Sequence, residues 1–237
     1  DQVGKPVKSR FAHDFGGDSQ QAERGILRAV ALHSLTLGIP CLYYGTEQGF
    51  DGYVPQEGDP LWELEQELQK QQGDGPANQD QFVRECLFGG AFGPFRTQGK
   101  HCFQEASWLY QQIAALLALR QEHQALRCGP QYLRELSADG STFWLPEPGE
   151  QPYLGIIAWS RLQDSEEFLC AINTNPTQAQ HAYISIDDIR NGQERIPLHC
   201  LYSTEETQIG QEAVTQSSAI GIAVAITVPA GGVVVFH

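Results

Sequence analysis

Few polar side chains in this sequence are placed for chemistry, and the best of them are Glu47 and Gln48. They follow a short apolar and aromatic run, Cys41-Leu42-Tyr43-Tyr44, bounded by Pro40 and Gly45. In parallel α/β folds, residues just beyond the C-terminal ends of strands point into the functional face, so Gly45–Gln48 is the polar group best placed by topology. A carboxylate there can hold a proton, accept hydrogen bonds from a ligand, or brace its own loop. Asp1, His13 and Asp14 lie in the opening polar loop. His13 and Asp14 have the residue types of a base and its orienter, but neighbours in a loop seldom face each other, and a surface pair is the simpler reading. His33, His101, His123, His181, His199 and His237 are scattered without ligand spacing and read as structural. Phe88-Gly89-Gly90-Ala91-Phe92-Gly93 lacks the Lys-Ser/Thr pair of a phosphate loop. Phe82, Phe88, Phe92, Phe95 and Phe103 can stack on sugar rings or bases, or pack in a core.

The elements that must position Glu47 are legible upstream of it. Asp18 with Gln21 three residues on resembles a capping box, and Ile26, Val30, His33 and Leu37 recur at helical steps, so a helix is predicted that closes at Gly38 and Pro40. The run Cys41–Tyr44 is too short for a helix and typical of a strand buried on both sides. Helix then strand is the αβ half of a parallel unit. Residues 45–105 form a long excursion, with a short helix expected between Asp59-Pro60 and Gly73 through Leu61, Leu64 and Leu68. A second helix is predicted over 107–126, with Leu109, Ile113, Leu116 and Leu117 on one face.

At Cys128-Gly129-Pro130 the texture changes to short β-type runs separated by turn residues: 132–136, 142–145, 155–159, 168–172, 182–186 and 198–201. Ile222, Val224, Ile226 and Val228 alternate, Pro229-Ala230-Gly231-Gly232 turns, and Val233–Phe236 returns, which predicts a closing hairpin. The expected fold class is α/β plus all-β: residues 1–127 as α/β units and 128–237 as an antiparallel β-sandwich.

The chain carries 15 Lys+Arg against 29 Asp+Glu, a formal net charge of −14. That balance repels phosphate backbones and anionic surfaces, so neither nucleic acid nor membrane is an expected partner. No apolar run is long enough for a spanning helix and no signal peptide is visible at the start, which leaves a soluble protein of unassigned compartment. There is no Met, and the sequence starts at Asp1. We therefore expect an N-terminus made by processing, truncation or partial reading of a longer protein. The cysteines lack any C-x-x-C pair. Free thiols are expected, with Cys41, Cys86, Cys170 and Cys200 as small core residues.

The string Gly38-Ile39-Pro40-Cys41-Leu42-Tyr43-Tyr44-Gly45-Thr46-Glu47-Gln48 resembles the passage from helix seven to strand eight in α-amylase family glycoside hydrolases. Asp1-Gln2 then matches the tail of the family's N-H-D motif, and Leu119-Arg120, Trp159-Ser160-Arg161 and Asn173-Thr174-Asn175 fall in the right order for a helix and a β domain. The resemblance spans essentially the whole chain. It implies the last βα units of a TIM barrel followed by the β-sandwich, and a retaining enzyme acting on α-glucan or a related oligosaccharide. It further implies that Asp1 is the carboxylate assisting the transition state, and that Glu47, Gln48 and Tyr44 are substrate-binding residues. The family's nucleophile and general acid lie upstream of the residue matched by Asp1, so this chain alone is expected to lack both. Other chemistries of the family, transglycosylation or sucrose cleavage, stay open, as does a non-catalytic glucan-binding or interaction module. No cofactor is assigned to these residues: the family's calcium site is built largely upstream. Calorimetric titration of the 237-residue chain with calcium is therefore expected to give no tight isotherm, and tight binding overturns that assignment.

Overall fold

The structure, a computed structural model, describes residues 19–49, 63, 66, 67, 70, 105–147, 149, 151–187 and 196–237. Two compact units divide the chain. Leu27–Cys41 with Gln112–His237 forms one, and the described residues among 1–26 and 42–111 belong to the other.

In the larger unit, nine strands form one continuous curled sheet in which every pairing is antiparallel. They are β1 (Gln131–Leu133), β2 (Leu136–Ser137), β3 (Ile156–Gln163), β4 (Glu166–Asn173), β5 (Gln180–Ser185), β6 (Pro197–Ser203), β7 (Glu212–Ser218), β8 (Gly221–Val228) and β9 (Val233–Phe236). Their order is β1-β3-β4-β9-β6-β7-β8-β5-β2. The β6–β7 pair joins the two leaves of a sandwich, and the core between them is lined by Ala158, Leu169, Ala171, Ile184, Val224, Ile226, Val228 and Val234, among others. Period-two alternation explains one leaf: along β8, Ile222, Val224, Ile226 and Val228 all turn inward. The leaf of β3, β4 and β9 is buried on both faces, because Trp159, Arg161, Phe168 and Cys170 are also covered.

The antiparallel part follows the sequence reading over most of its strands. Strand β7 reads as a loop because it is Glu-Ala-Val-Thr-Gln-Ser-Ser, with only Ala213 and Thr215 turned in. The expected hairpin of 222–228 with 233–236 does not form. Strand β8 pairs with β5 and β7, whereas β9 pairs with β4 and β6. The Pro229–Gly232 turn thus crosses between leaves. Buried Asn173 clamps it, donating from Nδ2 to Pro229 O at 3.0 Å and receiving at Oδ1 the Asn175 N–H at 2.9 Å. A Cβ on Gly232 would lie 2.3 Å from Thr204 Oγ1, so only glycine fits this close approach. The run 142–145 shrinks to one bridge, Trp144 to Leu136.

Helix α1 runs Ser19–Leu35, α2 Trp108–Glu122 and α3 Gln124–Cys128. Glu63, Gln66, Glu67 and Lys70 are helical, in keeping with the short helix expected there. Leu109, Ile113 and Leu116 are buried along α2 as the spacing predicts. The buried face of α1 needs correction: it is Leu27, Val30, Ala31, Ser34 and Leu35, the i, i+3, i+4, i+7, i+8 stripe, while His33 is exposed and Leu37 is 64% exposed beyond the helix end. Cys41–Tyr44 is corrected as well. It is an exposed, irregular segment with no strand partner among the described residues. A strand buried on both faces requires layers packed over both, and Cys41, Leu42, Tyr43 and Tyr44 are all exposed. Accordingly Cys41 is an exposed thiol, not a core residue. Cys128, Cys170 and Cys200 are likewise free; burial pushes the Cys170 thiol up to about 12 and the Cys200 thiol up to about 11. Cys86 and Cys102, Asp18 of the capping box, and the Phe82–Phe103 segment lie outside the described residues.

The C-terminal end of α1 is held by two arginines and an indole. The last carbonyls of a helix have no intrahelical donor and carry its negative dipole end. Leu35 O accepts from Arg161 Nη1 at 2.8 Å and from Trp159 Nε1 at 3.1 Å; Ser34 O accepts from Arg120 Nη1 at 2.8 Å. Arg161 is fully buried and also donates to Gly129 O from Nε at 3.0 Å and Nη2 at 2.8 Å. Burial lowers the Arg161 guanidinium from its ordinary value, the Cys170 and Cys128 thiols oppose that, and Arg120 adds to it. Replacing Arg161 by Met strips donors from two buried carbonyls. Arg161→Met is expected to lower unfolding stability by about 2–4 kcal/mol, and Arg161→Lys to recover only part of it, because an ammonium cannot span both carbonyls. Urea unfolding of the three proteins measures this.

Candidate functional site

The best-placed polar group of the sequence lies directly after the segment that leaves α1. Thr36 extends the helix end, its N–H and hydroxyl both donating to Leu32 O at 3.1 and 2.6 Å. The Leu37 N–H donates to Gln131 Oε1 at 2.6 Å, and the Cys41 N–H donates to His33 Nε2 at 2.7 Å. That bond makes Nε2 of His33 an acceptor and places the ring proton on Nδ1. His33, read from sequence as part of an apolar stripe, instead folds the Gly38–Cys41 passage back beside its own helix. Its one advance signal is polarity on an otherwise apolar helix face.

In the other unit, Gly45 and Gly49 bracket the turn that carries the candidate residues. Thr46–Gln48 is a single 3₁₀ turn. Gly45 has φ 82° and Gly49 φ 65°, both in the left-handed region that side-chain-bearing residues rarely adopt. Main-chain bonds close it: Thr46 N–H to Tyr43 O at 3.1 Å, Gln48 N–H to Gly45 O at 3.1 Å, and Gly49 N–H to Thr46 O at 3.0 Å. A Cβ on Gly49 would sit 3.2 Å from Leu109 Cδ2. Glu47 and Gln48 are half-buried, and Tyr44 is 46% exposed. The structure therefore brings Tyr44, Glu47 and Gln48 together on one short tight turn. Asp1, His13 and Asp14 lie outside the described residues.

No protein-family model matches the chain. Among curated proteins, it is similar to an alpha-amylase of Streptomyces lividans, 29% identical over 224 residues, covering 92% of this chain and 19% of that protein. The chain is similar in sequence to an alpha-amylase along most of its own length. It spans about a fifth of the length of that relative. Among solved structures it resembles the alpha-amylase of H. orenii, with a TM-score of 0.51, 15% identity, and 95% of this chain against 36% of that one. It also resembles the trehalulose synthase MutB, with a TM-score of 0.53, 14% identity, and 90% of this chain against 38% of that one. At such identities the likeness is one of fold. The sequence relation covers both the Gly38–Gln48 string and the β-sandwich.

The two left-handed glycines make a direct test. Gly45→Ala is expected to destabilise by about 1–2 kcal/mol, the cost of forcing a Cβ into that conformation. Thermal unfolding checks it, and a stability gain would show that the turn is not held as described.

Proposed function

We propose that these residues form the C-terminal portion of a retaining glycoside hydrolase acting on α-glucan. In this reading Asp1 assists the transition state, and Tyr44, Glu47 and Gln48 contact the sugar. The observation that carries it is the Gly38–Gln48 string within a chain 29% identical to an alpha-amylase over 92% of its length. A retaining reaction needs a carboxylate nucleophile on the anomeric carbon and a carboxylic acid about 5 Å away to protonate the leaving oxygen. Neither role is assigned to a residue of this chain. What these residues supply is narrower. Hydrogen bonds that a third carboxylate accepts from ring hydroxyls tighten as the sugar flattens toward an oxocarbenium ion, which lowers the barrier without covalent chemistry. Tyr44 offers an apolar ring face with a hydroxyl at its edge, suited to a pyranose that is apolar above and polar around its rim. Glu47 and Gln48 offer acceptors and an amide donor for sugar hydroxyls.

The fold does not choose the reaction, since it is shared with a protein named as a synthase. Transglycosylation and sucrose-directed chemistry remain the second reading.

The purified 237-residue chain is expected to release no reducing ends from starch or maltooligosaccharides, and turnover surviving removal of contaminants rejects the incomplete-site reading. In a protein carrying these residues behind the rest of the barrel, Asp1→Asn is expected to lower kcat by roughly 100-fold or more with little change in KM. Unchanged turnover in that variant removes Asp1 from the mechanism.

A further inference from the structure

We propose that the rings of His123, Phe168 and His237 form a seam that fastens the junction of α2 and α3 to the sandwich, and that protonation of His237 loosens it in mild acid. The seam is built around one buried ring. Phe168, on the outer face of β4, is fully covered. His237 stacks on it with centroids 4.3 Å apart and planes 19° from parallel, and His123 tilts against it at 4.6 Å. The two imidazoles are themselves 6.2 Å apart, stacked at 29°. His123 is the N-cap residue of α3 and the single residue separating it from α2, so its ring is where that helical break meets the sheet.

The other elements facing His237 each bring a titratable group. From β6, His199 exchanges main-chain bonds with it, His199 N–H to His237 O at 2.8 Å and His237 N–H to His199 O at 3.0 Å. From β4, Glu166 Oε1 stands 3.9 Å from His237 Nε2; from β7, Glu212 Oε1 stands 3.7 Å from His199 Nδ1. Glu166 can balance a charge on His237 and Glu212 one on His199, and the face of Phe168 tolerates a single cation. A charge on His237 puts a cation into a packed stack of rings, a desolvation cost that the neutral imidazole does not carry. Burial holds the His237 imidazole below its usual value; Glu166 opposes that shift, while His123 and His199 add to it.

A histidine held below its unfolded value is neutral by preference in the fold. The stabilisation it gives is complete above about pH 6.5 and disappears as the pH falls through the lower folded-state value. His123 caps α3, which is five residues long, so α3 is the element in which loosening of the seam is read.

The test is a pH series of amide exchange on the 237-residue chain, with imidazole carbon-proton signals followed in parallel. His237 is expected to titrate below an ordinary imidazole. Over the same range, protection factors for residues 124–128 are expected to fall by up to roughly tenfold per pH unit for each proton bound, while those of β8 hold. In His123→Phe, which keeps a ring but removes one of the causes holding the His237 value down, the fall is expected to shrink, and in His237→Phe to vanish. Protection that declines equally in 124–128 and β8, or that is unchanged by both variants, overturns the seam. If either variant fails to fold, the unsubstituted chain still decides: a His237 titrating at or above the ordinary value, or titrating with no change at 124–128, overturns it too.

Discussion

The architecture of the larger unit turns on the way one helix end is finished. A helix that stops against a sheet presents its last carbonyls to a dry surface, and each one left without a donor costs free energy comparable to a lost hydrogen bond. Here Arg161, Trp159 and Arg120 reach those carbonyls from the sheet and from α2. Arg161 is the unusual member: a fully buried cation whose described partners at Leu35 and Gly129 are main-chain oxygens. Carbonyl dipoles and the negative helix end replace the water it gave up. Because both Gly129 and Leu35 are tied to one planar guanidinium, the exit of α3 and the exit of α1 are fixed relative to β3.

The helix end is followed by further tethers within the same unit. From Leu35 the backbone passes Thr36, the Gln131 amide that receives Leu37, and the His33 ring that receives Cys41. Each step removes a degree of freedom from the segment leading to Gly45. The glycines at 45 and 49 then permit a turn tight enough to present Tyr44, Glu47 and Gln48 within five consecutive residues. Conformational restriction upstream and glycine chemistry at the turn both narrow the backbone conformations open to this passage.

Much of this was legible in the residues. The β domain was readable wherever apolar side chains alternate, as along β8, or run continuously because both faces are covered, as along β4. It was unreadable at β7, whose inward side chains are small or polar, and at the β8–β9 connection, where a turn signal cannot say which leaf the next strand joins. The helix α1 was found, but its face was displaced by one residue because His33 was counted as apolar. For the site, the sequence identified the Gly45–Gln48 turn and could not show its support. The bonds from His33 to Cys41 and from Arg161 to Leu35 span 8 and 126 residues, and nothing in local spacing announces them.

Strand β9 has one further implication. Among the described strands it comes latest in sequence, yet it lies between β4 and β6 in the middle of its leaf. During synthesis, β4 and β6 are complete while the strand that must bridge them is still being made. Until it emerges, both carry open edges and apolar side chains such as Leu169 and Leu198, the conditions under which nascent sheets pair with the wrong neighbour. Closure of the domain is therefore a late, long-range event, and its success depends on how long those edges stay apart from other chains.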